Sequence, residues 1–122
     1  MRTFELILCG LLALAGLAHL GGTLAGYEPG TEIFVWSISA TCFVFLLVFL
    51  HVLRIYRPDD RPVRAAALIA SVAWIGLALA FGAAAGDILD PRALTHAIVT
   101  LGLLAMTVLG SRARARAATV TA

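Results

Sequence analysis

Four stretches of this chain, 6–27, 33–53, 65–86 and 93–111, contain no Asp, Glu, Lys or Arg. Each is close to the roughly 20 residues that a helix needs to cross a hydrocarbon core. A segment in lipid has no water for its backbone N–H and C=O groups, so it must satisfy them itself as a helix or with its neighbours in a closed barrel. The alternating pattern of barrel strands is absent, which leaves helices. The sequence therefore predicts an all-α polytopic membrane protein, an up-down bundle of four transmembrane helices. The spans fall at about 5–27, 32–54, 64–86 and 91–110, within a single domain over 1–111, and 112–122 reads as a basic, disordered tail.

Charge orients these spans. Arg2 precedes the first, Arg54, Arg57, Arg61 and Arg64 lie between the second and third, and Arg112, Arg114 and Arg116 follow the fourth. In an up-down bundle these eight share one side. The opposite loops hold Glu28, Glu32, Asp87 and Asp90, with Arg92 as their only base. The positive-inside rule then predicts that the N- and C-termini are both cytoplasmic. The Arg-only, Ala-rich usage points to a multi-pass protein of a bacterial inner membrane. With 61% hydrophobic residues and a net charge of only +2, the arginines read as orientation signals and no nucleic acid is expected as a partner. The expected partners are the lipid bilayer and either a second copy in a homodimer or a larger membrane complex.

Local signals agree with these boundaries. Tyr27, Glu28, Pro29, Gly30 and Thr31 make a turn, with Thr31 placed to cap the second helix. Asp60 is placed to cap the third, with Pro62 in its first turn where a missing N–H is harmless. Asp90 and Pro91 repeat this for the fourth. Uncharged sequence continues from Leu6 to Tyr27, beyond the roughly 7–15 residues of a signal-peptide core, so the first span is expected to remain as a helix. Cys9 and Cys42 sit in apolar runs with no CxxC spacing and read as small buried hydrophobes.

Shifting the chain by 60 residues aligns 16–26 with 76–86, and six of eleven positions match without a gap. Two origins fit this: a duplicated two-helix hairpin, or coincidence between two Gly/Ala-rich stretches. In either case Ala18, Gly22 and Gly26 recur every fourth residue, as do Ala78, Gly82 and Gly86. Such small-residue stripes let helix backbones approach closely in lipid, so these six are the predicted helix-packing positions, within the bundle or between copies.

Chemistry has few places to reside. No carboxylate lies deep in a span, which excludes the small multidrug carriers that depend on one in their first helix; Glu5 sits at the cytoplasmic edge beside Arg2. Three histidines remain. His51, just before Arg54, is expected at the cytoplasmic interface. His19 lies nine residues before Glu28 and His96 six after Asp90, which puts both roughly 9–13 Å below the outer surface at 1.5 Å per residue. Helices one and four are neighbours in a closed bundle, so the two imidazoles can face each other.

Two neutral imidazoles at one depth suit a b-type haem, a quinone, or half of a metal site completed by Glu28, Asp87 or Asp90. The plain alternative is that each donates to a carbonyl or to Thr95 or Thr100 and only holds helices together. Tyr27, Tyr56 and Trp36 read as interfacial anchors, Trp74 as mid-span packing, and Phe34, Phe43, Phe45 and Phe49 as apolar bulk. Three functions follow: a non-enzymatic accessory or assembly component, which the scarcity of catalytic groups favours; a haem b or quinone-binding anchor of a redox complex using His19 and His96; and a small oligomeric pore or metal carrier with an acidic outer mouth.

Overall fold

The computed structural model describes residues 2–120 and, among them, is entirely helical. Helix α1 spans Arg2–Gly26, α2 Glu32–Tyr56, α3 Arg61–Ala84 and α4 Pro91–Val120. Each is long and apolar enough to cross a membrane. α1 packs on α2 and α3 on α4 as two hairpins, and α1–α4 and α2–α3 contacts close the ring. One end of the bundle carries the arginine clusters and the other the acidic loops. α4 continues past its apolar part, which ends at Ala113, so 112–120 is helical where the sequence suggested a disordered tail. Alanine and arginine are strong helix formers, and they dominate that stretch. Thr121 and Ala122, the rest of the expected tail, lie outside the described residues.

The helix ends are chemically specified. Thr31 Oγ1 accepts from the Phe34 amide at 3.4 Å, and Asp60 Oδ1 accepts from the Val63 amide at 3.1 Å. Asp90 Oδ1 accepts from the Arg92 amide at 2.8 Å at the start of α4. α3 ends at Ala84, and the turn that follows needs Gly86, whose φ of +81° only glycine adopts without strain. The Gly86 amide returns to Ala83 O and the Asp87 amide to Gly82 O, the paired bonds of a Schellman ending.

Side-chain volume is unevenly distributed along the bundle. Leu8, Cys9 and Leu12 of α1, Val44 and Leu47 of α2, Trp74 of α3 and Leu103 of α4 form the buried core. Apart from Trp74 these sit toward the middle and the arginine end. Gly16 brings α1 against α2 there: a Cβ on it would lie 2.9 Å from Val44 Cγ1. Toward the acidic end the buried residues are small, including Thr23, Ala78, Gly82, Ala93 and Ala97. Four helices held apart by their packed half and lined with small residues in the other half cannot fill the space between them.

The two small-residue stripes have different surroundings within the chain. Gly22 and Gly26 have nothing within 4 Å of an added Cβ, and Ala18 is exposed, so the α1 stripe joins no helices within this chain. Ala78 and Gly82 are buried, and a Cβ on Gly82 would meet Ala93 at 3.4 Å and Asp87 O at 3.0 Å. Gly86 ends α3 and packs no helix. The 60-residue alignment also pairs glycines with different surroundings: Gly16 is tight against Val44, whereas its counterpart Gly76 has nothing within 4 Å.

Candidate functional site

A cavity of about 800 Å³ occupies the acidic half of the bundle. This is within the roughly 300–1,000 Å³ range of ligand and cofactor sites. All four helices contribute to its wall. α1 supplies Ala15, Ala18, His19 and Gly22, small residues around one imidazole; α2 supplies Trp36 and Phe43; α3 supplies Trp74 and Phe81; α4 supplies Ala93 and His96.

At its inner end four rings, one from each helix, touch in sequence. His19 and His96 lie edge to face with centroids 6.3 Å apart and planes at 86°. His96 meets Trp74 at 5.4 Å and 78°. Trp74 stacks on Phe43 at 5.6 Å and 23°. These separations are those of favourable ring pairs. The chain α1–α4–α3–α2 thus crosses the bundle where the packed core gives way to the cavity.

The polar atoms of this girdle are unsatisfied. His19 Nε2, His96 Nδ1, Trp74 Nε1 and the neighbouring Thr100 Oγ1 are all sealed from solvent without a hydrogen-bond partner. Buried polar groups without partners are uncommon in folded proteins, and each such group asks for an explanation. The expected neighbours do not provide one: Thr95 Oγ1 donates to Pro91 O at 2.7 Å, away from His96.

The acidic loops do not complete a metal site around these rings. Among the described residues no three His, Cys, Asp or Glu side chains converge. Asp90 instead holds Arg92, whose Nη2 donates to Asp90 Oδ2 at 2.6 Å. That hydrogen bond is the main reason the Asp90 carboxyl is lowered from 3.8 to about 2, with further help from the Arg92 and Ala93 amides and the guanidinium charge. Arg92 also lies 5.6 Å above the Phe81 ring, so this ion pair borders the cavity mouth.

His51 faces the interior of the bundle. It is 0% exposed, and its Nε2 lies 2.9 Å from Ser71 Oγ. Ser71 donates its own proton to Ala67 O at 2.7 Å, so it accepts from His51, which fixes the proton on Nε2. Glu5 also differs from expectation: it pairs with Arg54 at 3.1 Å, both side chains buried. Arg2, its expected neighbour, lies 4.3 Å over the Tyr56 ring.

His19 and His96 are therefore brought together as the depth count predicted. Trp74 and Phe43 were legible only as apolar bulk. The one signal that could have singled out Trp74 is its indole N–H, which at mid-span needs an acceptor. No family model matches the chain, and no curated protein and no solved structure matches it either.

Proposed function

We propose that this protein is a non-enzymatic component of a bacterial inner-membrane complex that holds a b-type haem between His19 and His96. The observation that carries the reading is the pair of imidazoles 6.3 Å apart at the inner end of a roughly 800 Å³ cavity, each with a buried nitrogen that has no partner. His19 and His96 would hold the haem iron, which would give those nitrogens a partner. The small residues Ala15, Ala18 and Gly22 beside His19 leave width for a flat macrocycle, and the aromatic wall of Phe43, Phe81 and Trp74 is apolar enough to receive it.

His51 is the only other histidine in the sequence, so no second histidine pair is available, and on this reading the protein exchanges electrons as a subunit of a homodimer or a larger assembly. The experiment is an absorption spectrum of the chain purified after expression with ample haem. A Soret band with split α and β bands on reduction is expected, and it should vanish in both His19→Ala and His96→Ala. A colourless wild-type preparation would sink the haem reading.

One observation favours a second ligand class. Trp74 Nε1 is a buried donor without a partner beside His96, and haem offers an indole N–H nothing on its flat faces. A quinone carbonyl would accept from it. Quinone in the organic extract of a colourless preparation, lost in Trp74→Phe, would establish this reading instead.

A further inference from the structure

The arginine end of the bundle contains a second cavity, about 240 Å³, remote from the ring girdle. Its polar wall consists of Arg2 and Glu5 on the first turn of α1 and Arg54 on the last turn of α2. Arg54 is 3% exposed. Its Nη2 donates to Glu5 Oε2 at 3.1 Å, while its Nε is buried without a partner. Arg2 is held at the rim by the Tyr56 ring beneath its guanidinium at 4.3 Å. Among the described residues, two guanidinium charges against one carboxylate leave the wall with one net positive charge.

Two further features favour an anion here. α1 begins at Arg2, so the amides of its first turn have no acceptor within the helix and carry the positive end of its dipole. The other described residues of the wall, Ile55, Pro58, Gly110 and Ala113, carry no charge. A group with one negative charge, several acceptor oxygens and an apolar extension matches this lining. A free phosphate matches it less well, because its second charge would be uncompensated and the apolar wall would go unused.

We propose that this cavity binds the phosphodiester headgroup of an anionic lipid, with Arg2 and Arg54 donating to its oxygens and Glu5 keeping Arg54 in place. Basic pockets between membrane helices are a known setting for such headgroups. The site is independent of the haem reading and stands or falls separately from it.

The test uses the full chain purified in neutral detergent and native mass spectrometry with phosphatidylglycerol, phosphatidylcholine or inorganic phosphate added at equal concentration. Phosphatidylglycerol should be retained in preference to phosphatidylcholine, and inorganic phosphate should not displace it. Arg2→Gln should weaken retention about tenfold, the loss expected for one charge-assisted hydrogen bond. Arg112→Gln, an exposed charge at the same end but outside the cavity, should leave retention unchanged. Both are exposed positions, so the fold is preserved in each. Equal retention of the two lipids, or equal losses in the two variants, would show diffuse attraction to headgroups and overturn the proposal. Displacement by inorganic phosphate would overturn the lipid assignment.

Discussion

Replacing Gly16 and Gly76 by alanine, one at a time, should move stability in opposite directions although the 60-residue alignment pairs the two positions. A Cβ on Gly16 would lie 2.9 Å from Val44 Cγ1 and 3.6 Å from Phe45 Cζ, whereas carbon atoms pack comfortably at about 3.5–4.0 Å. Val44 is fully buried, and a valine in a helix has essentially one rotamer. It cannot swing aside, so α1 and α2 must separate. Overpacking of this kind costs about 1–3 kcal/mol, and alanine recovers about 1 kcal/mol over glycine in helix propensity. Gly16→Ala should therefore destabilise by about 1 kcal/mol net. Gly76 has nothing within 4 Å, so Gly76→Ala keeps only the propensity gain. The assay is reversible unfolding in mixed micelles of rising SDS fraction, followed by tryptophan fluorescence, since Trp74 lies in the core. Val44→Ala in the Gly16→Ala background should remove the overlap and appear as a coupling of about 1 kcal/mol. If Gly16→Ala stabilises as much as Gly76→Ala, the α1–α2 backbones are not in the close contact from which the cost was worked.

Removing Arg54 alone, as in Arg54→Leu, leaves the Glu5 carboxylate buried without a partner and should cost about 3–5 kcal/mol. Glu5→Leu combined with it should restore most of that loss, and a double variant no more stable than the single would refute the pairing. The depressed Asp90 carboxyl stabilises the fold only while it is ionised. Its contribution is complete above about pH 4 and is lost as pH falls toward about 2. The stability difference between wild type and Asp90→Asn should therefore shrink across that window, and a constant difference would exclude the Arg92 contact as its cause. A reporter active only in the periplasm should work when fused after Gly30 or Asp87 and stay silent after Asp59; activity at Asp59 would invert the topology.

The depth of the two histidines was legible because a helix converts residue number into height at a fixed rise, and the charged loops mark zero. That is why counting from Glu28 and Asp90 brought His19 and His96 to one level. The same count could not place His51, because height does not say which way a side chain faces. On α2 it points inward to Ser71. Glu5 was misjudged for the same reason, since its partner Arg54 lies 49 residues away in the chain. Both depend on which faces of two helices meet.

The pattern of charge-free runs, arginine clusters and caps determined the helices, their number and their boundaries. Those properties are local: backbone hydrogen bonds in lipid must close within each segment, and a cap acts within one turn. Only the tertiary structure decided what the small residues do. The α1 stripe of Ala18, Gly22 and Gly26 joins no helices within this chain, and Ala18 and Gly22 line a cavity instead. A glycine is equally suited to a tight helix contact, a helix end and an empty wall. Which of these it serves at Gly16, Gly86 or Gly22 depends on the side chain that arrives from another helix.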